Sequence, residues 1–266
     1  MNKSGAIIFF PYQSPQMFQG VDQLQTDLGT KLTIGDGGLF SQPFQNIVNS
    51  DLSHEYGSLE SLRAVTNTPL GVFFISQAQG KIFHYTGKLD NIANSGMKHW
   101  FNKYLPSALI RQFPALESSK LSDNPVIGIG CQIVFDPNYE ITYFCKKDFK
   151  VKDQFMSGPA RNGYISYSND QFYLHTPAGS VIPISIGDSR YFDNASWTVS
   201  YDPKIKAWIS FHDWHPELIL PSINHFLTTK TSVSEDPNCP PGYIFNPVTN
   251  QCELSQQETI PAPVSV

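Results

Sequence analysis

Charge is what this sequence has least of. Asp, Glu, Lys and Arg make up 15% of its 266 residues, against about 25% in an average globular domain. A surface with so few ions relies on Asn, Gln, Ser and Thr rather than ion pairs. No run of five basic residues occurs and the net charge is −5, which argues against nonspecific or sequence-specific nucleic-acid binding, since both draw on clustered Lys and Arg. Cysteine is scarce as well: four residues in a chain of this length form no disulfide scaffold. Long apolar runs are missing too. The patch from Ala6 to Phe10 stops at Pro11, too short for a signal-peptide core or a membrane span. It reads as a strand in a soluble chain without a visible export signal.

What the chain has in quantity is aromatic residues and turn formers: 19 Phe and 12 Tyr beside 18 Gly and 20 Pro. Aromatic strands joined by tight turns predict an all-β fold. Three textures succeed one another. Residues 1–60 are polar and Gln-rich, and predict an extended N-terminal arm or short strands without a core of their own. Residues 61–230 alternate apolar runs with turn signals. Residues 231–266 hold Pro237, Pro240, Pro241, Pro247, Pro261 and Pro263 in a segment with little apolar mass, a tail that cannot fold by burial alone. Within the middle region, residues 88–114 form a helical insertion. Ile92, Met97, Trp100, Phe101, Tyr104 and Leu105 recur at helical spacing, Ser95 is the expected N-cap, and Pro106 ends the first helix. Trp100 and Phe101 are expected in the core.

The middle region also repeats itself. Asp136, Asn169 and Asp202 are equally spaced, 33 residues apart. Each opens a turn between an apolar strand and a strand of aromatic alternation, and Gly71 to Tyr85 has the same shape. Asp-Pro suits such a turn, as at Asp136-Pro137 and Asp202-Pro203. Proline presets the second turn position, while the Asp side chain bonds backbone two residues on. Similar hairpins at regular spacing predict a β-propeller or a β-sandwich, and a propeller-like array, complete or partial, is favoured. Ser180 to Gly187 adds a further strand.

Candidate chemistry centres on "HDWHPEL", His212 to Leu218. Two histidines three apart beside carboxylates resemble metal-ligand spacing. In a strand, however, such residues point to opposite faces, and Pro216 forbids a continuing helix. Zinc also needs a third or fourth ligand. Packing at a strand end is the favoured reading there. The carboxylates Asp202 and Asp213, or Asp136 and Glu140, are candidates for an acid–base pair, but turn chemistry already accounts for Asp136 and Asp202. No Gly-x-Ser-x-Gly elbow occurs, and Gly35-Asp36-Gly37-Gly38 lacks the Lys and helix of a phosphate loop. No catalytic, cofactor or metal residue is therefore expected. Cys131 and Cys145 fall in one hairpin. A pairing of Phe135 with Ile141 sets these cysteines opposite each other, where reduced, buried thiols are favoured over a strained bridge. Cys239 and Cys252 frame "CPPGYIFNPVTNQC" and are the candidates for a disulfide stapling a tail hairpin. The segment is weakly similar to carbohydrate-binding peritrophin-like modules.

Three stretches carry a wider resemblance: "NTPLGVFFISQAQGKIFHYTGKLDNIANSGMKHWFNKYL" from Asn67, "FDPNYEITYF" from Phe135, and "WTVSYDPKIKAWISFHDWHPELIL" from Trp197, with "NHFLTTK" after it. Together, over residues 60–253, they resemble structural tail proteins of crAss-like short-tailed bacteriophages, the muzzle or nozzle kind. The resemblance implies a non-enzymatic subunit in a homo-oligomeric ring around the DNA exit channel, with other tail proteins as partners. It also implies β-propeller domains and a place in a virion assembled in the bacterial cytoplasm. Family members are much longer than this chain. A glycan-binding β module for host-surface recognition is the alternative expectation.

Overall fold

A computed structural model describes residues 5–10, 13–19, 22–25, 31–34, 44–48, 62–156, 163–229, 243–246 and 251–254. The chain divides into two compact units, Met1–Thr228 and Thr229–Val266. Antiparallel sheets with few helices make up the described residues.

In the first unit, β1 (Gly5–Phe10), β2 (Gln13–Gln19) and β5 (Gln45–Asn46) form a three-stranded sheet, and β3 (Asp22–Gln25) pairs with β4 (Lys31–Ile34). These N-terminal strands do not stand alone. Phe9 packs edge-on against Phe74, with ring centroids 5.2 Å apart, and Ile47 is buried with Phe74, Phe83 and Leu89.

Next comes a four-stranded meander: β6 (Val65–Thr68), β7 (Gly71–Ser76), β8 (Lys81–Tyr85) and β9 (Leu89–Asn91). Val72 to Ser76 are all buried, because both faces of β7 are covered, one by the N-terminal strands and one by the main core. The β7–β8 turn ends on Gly80 at φ +65°, where a Cβ would stand 2.7 Å from the backbone of Asn102. Glycine is required there by both conformation and contact.

The helical insertion contains α1 (Lys98–Tyr104) and α2 (Ala108–Gln112). Phe101 and Leu105 are fully buried and Trp100 packs partly buried against them. Ser95 does not cap α1: it closes a short 3-10 turn at Ile92–Asn94, and Met97 stands at the N-cap without a side-chain bond. Gly96 at φ +85° separates the two elements. Pro106 stops α1 as its ring requires. Ser107 then caps α2, its Oγ accepting from the Ile110 N–H at 3.1 Å.

The central sheet runs β10 (Gly130–Asp136), β11 (Ile141–Lys147), β17 (Trp197–Asp202), β18 (Ala207–His212). Thus the Asp136 and Asp202 hairpins lie side by side in one sheet, with Thr142 opposite Tyr201 and Phe144 opposite Val199, rather than in successive blades. Between them the chain builds β12 (Phe149–Val151) with β16 (Phe192–Asn194), and the sheet β13 (Tyr164–Ser168), β14 (Gln171–His175), β15 (Val181–Ile184). No closed propeller or barrel is present among the described residues. The first unit closes with β19 (Leu218–Pro221) paired to β20 (Phe226–Thr229). In the second unit, β21 (Tyr243–Asn246) pairs with β22 (Gln251–Leu254), with Cys252 opposite Phe245. Cys239 lies outside the described residues.

One core cluster joins Phe73, Ile75 and Ile82 to Phe101, Phe144, Trp197 and Tyr201. Each fully buried side chain of this size contributes roughly 1.5–3 kcal/mol through burial. A second cluster, with Leu109, Val151, Phe172 and Phe192, fills the space beneath β13–β15.

The β10–β11 register differs by one residue from the expected pairing. Asp136 faces Ile141, so Cys131 faces Lys146 and Gln132 faces Cys145. The cause is a four-residue turn, Pro137 to Glu140, with Glu140 at φ +56°. One step of register moves a residue to the other face. Cys131 therefore lies in the main core while Cys145 lies in a small cluster on the opposite side. Both are buried thiols outside any disulfide, and burial pushes the Cys145 pKa up to about 12.

Candidate functional site

The Asp136 and Asp202 turns are built alike. Asp136 Oδ1 accepts from the Asn138 and Tyr139 N–H groups at 2.9 and 3.4 Å. Asp202 Oδ1 accepts from those of Lys204 and Ile205 at 2.7 and 3.3 Å. Each turn has four residues, with Pro137 or Pro203 first and a left-handed Glu140 or Lys206 last. Lys204 reaches across to pair with Glu140, so the two turns stand together. The carboxylates of Asp136 and Asp202 are thus engaged by their own loops. The Asn169 turn differs. Ser168 faces Gln171 directly, and Asn169 and Asp170 are both left-handed at φ +51° and +58°. This is a two-residue hairpin of the primed type. Its 33-residue spacing matches the others, but its geometry does not.

The "HDWHPEL" stretch is a fastened corner. His212 ends β18, and its ring lies 5.3 Å from Tyr143 and 5.8 Å from Trp214. Phe226 completes the aromatic group over Val134, Cys145 and Ile219. His212 Nε2 is buried and has no hydrogen-bond partner among the described residues. Backbone beyond it is held from the sheet. Thr198 Oγ1 donates to Trp214 O at 2.6 Å, and Gln132 Nε2 donates to Glu217 O at 3.1 Å. Gln132 Oε1 accepts from the Ile219 N–H at 2.9 Å. In effect the Gln132 side chain replaces a neighbouring strand, which lets β19 start directly after the Pro216–Glu217 step. Glu217 pairs with Lys147 at 3.3 Å, so this carboxylate serves the corner. Among the described residues no three His, Cys, Asp or Glu side chains cluster as a metal site would require.

At the α1–α2 junction lies a feature that sequence reasoning missed, a buried ion pair. Lys146 Nζ stands 2.6 Å from Asp148 Oδ2, the two side chains being 2% and 0% exposed. Every group around them is used. Lys146 also donates to Tyr104 O and Pro106 O, while Asp148 accepts from Ser107 Oγ, the Ala108 N–H and the Phe149 N–H. The pair staples the α1–α2 junction to β11. Full hydrogen bonding is what makes a buried pair tolerable. The "KKD" spelling, a cation and a carboxylate two apart at the end of β11, was the available signal.

The surface feature with most to offer a partner is β18 itself. It ends the central sheet, so its outer N–H and C=O groups meet no strand among the described residues. A bulge leaves Ile209 as the extra residue between the Ser200–Ser210 and Tyr201–Trp208 pairs. Ile209 is 48% and Phe211 56% exposed, and Ile205 in the preceding turn is exposed as well. Trp208 turns inward, its Nε1–H donating to Ile92 O at 3.1 Å. Phe211 rests one edge on Trp100, with centroids 5.0 Å apart, and leaves the rest open. An unpaired apolar edge is a template for another chain; the bulge twists part of this edge away, while Ile209 and Phe211 keep apolar surface exposed on it. No protein-family model matches this chain, and no curated protein matches it.

Proposed function

We propose that this chain is a virion structural protein, a muzzle- or nozzle-like subunit of the tail of a short-tailed, crAss-like bacteriophage. In this reading copies of it form a ring around the DNA exit channel, with other tail proteins above and below. The observation that carries the reading is the open apolar edge of β18, with Ile209 and Phe211 exposed on it. A ring joins two different patches of neighbouring copies, and this edge supplies one of them. A propeller-like arrangement belongs to the same proposal. The β6–β9 meander has the four antiparallel strands of a blade, and the central sheet has four as well. The proposal assigns no catalysis and no cofactor. Asp136 and Asp202 close turns, and His212 packs a corner. No helix among the described residues is long and apolar enough to cross a membrane.

Quantitative mass spectrometry of purified virions tests this. The chain is expected in multiple copies per particle, and its absence from virions sinks the proposal. One observation favours a glycan-binding module as the second reading: Tyr139, at the tip of the Asp136 turn, is 73% exposed. A glycan-array signal abolished by Tyr139→Ala supports it, and a blank array removes it.

A further inference from the structure

Away from β18, a cleft of about 560 Å³ opens between the β7–β8 turn, α2 and the segment before β10. That is within the range of sites that enclose small organic molecules. The walls are fixed before any ligand arrives. The loop 121–129 is closed by three backbone bonds, Ile129 N to Leu121 O at 2.9 Å, Asn124 N to Ile129 O at 2.8 Å and Gly128 N to Asn124 O at 2.7 Å. Gly128 approaches so closely that a Cβ would stand 2.1 Å from Leu121 O. On the other side, Ser107 and the buried Asp148 hold the start of α2.

The lining divides by what is already engaged. Both carboxylate oxygens of Asp123 accept from the Leu62 N–H, at 2.8 and 2.9 Å. Ser107 Oγ is taken up by Asp148 and Ile110, and Ser119 Oγ accepts from the Leu121 N–H at 3.2 Å. Glu117 has a contact of its own. The Arg111 guanidinium remains, with no ion pair to any described residue. Pro106, Ile110 and Ile129 line the same cleft and give it apolar surface.

We propose that this cleft binds a monocarboxylate carried on an apolar body. A guanidinium offers two parallel N–H groups that match one carboxylate, and the apolar wall takes the rest of the molecule. Glu117 and Asp123 line the same cleft and raise the cost of each negative charge brought in, so one carboxylate held by Arg111 is accepted where di- and polyanions such as nucleotide phosphates are disfavoured. The proposal is independent of the assembly reading, since its residues lie on different elements from β18.

The test uses the full chain, isotopically labelled and tracked by two-dimensional amide NMR. The probes are octanoate, octylammonium and adenosine triphosphate. Octanoate is expected to shift amides around Ile110 and Ile129, while the other two leave them unmoved. Arg111→Met should weaken octanoate by about tenfold or more, with Arg111→Lys between the two because it keeps charge but loses the fork. Arg111 is exposed, and an unchanged melting temperature verifies that each variant folds. The proposal is overturned if octanoate leaves these amides unmoved, if octylammonium or the triphosphate binds as well, or if Arg111→Met binds octanoate like the parent.

Discussion

The Asp136 and Asp202 hairpins are built on the same four-residue turn, yet the strands they join are covered to very different degrees. In the first, β10 is buried nearly throughout and β11 carries Phe144, fully buried in the main core. In the second, β17 is equally buried, but Ile209, Ser210 and Phe211 of β18 are exposed. Turn chemistry is local and depends on an Asp carboxylate, a proline and one left-handed residue. Coverage is tertiary. The first hairpin gains β17 along β11 and the Gln132-held corner along β10, whereas β18 ends the sheet. The same local design therefore serves once as scaffold and once as a surface edge. Among the described residues no strand covers this edge, and Ile209 and Phe211 stay exposed on it.

The largest expected effects separate scaffold from edge. Lys146→Met leaves the Asp148 carboxylate buried without its cation, at a cost of about 3–5 kcal/mol, measured by urea denaturation. Phe144→Ala opens a cavity in β11 and costs about 3–5 kcal/mol. The matching change in the open strand, Phe211→Ala, should cost the isolated chain less than about 1 kcal/mol. Comparable losses at Phe144 and Phe211 break the contrast between the hairpins.

A smaller effect sharpens the other half of the comparison, the identity of the turns. Asp136→Ala and Asp202→Ala each remove bonds to two turn N–H groups, and each should lose about 1 kcal/mol. A clear difference between them would mean that coverage reaches into the turn itself.

The smallest effect is a pH dependence in the scaffold. His84 stacks on Phe73 at 4.0 Å and its Nε2–H donates to Leu70 O at 2.8 Å. Burial holds its pKa below the ordinary 6.5, against the raising influence of the Leu70 bond and Asp90. The unfolded chain therefore takes up this proton more readily than the folded one. Stability falls as pH drops through 6.5 toward the folded pKa and levels off below it. His84→Gln should flatten that part of the stability profile, and an unchanged slope would assign it to other groups.

Much of the scaffold was legible. The Asp-Pro turns, the strands on either side of them, and the burial of Phe101 come from local residue choice and spacing. What was not legible is non-local. The pairing of Thr142 with Tyr201 brings together residues far apart in sequence, and β11 is covered on both faces, so alternation could not fix its register. That is why Cys131 and Cys145 were expected to face each other, when the turn holds one residue fewer than that pairing needs. The exposure of β18 was hidden for the same reason: "AWISF" reads as a core strand, and only the strand order places it at an edge. At the "HDWHPEL" corner, turn and packing chemistry were readable, but the role of Gln132 was not, since its partners lie 84 to 87 residues away.

The central proposal is that the β18 edge joins this chain to another copy. Sedimentation velocity of the full chain, over a range of concentrations, compares the parent with Phe211→Lys. The account predicts self-association by the parent and a monomeric variant with an unchanged urea midpoint. A parent that stays monomeric at every concentration, or a variant that associates just as well, would contradict it.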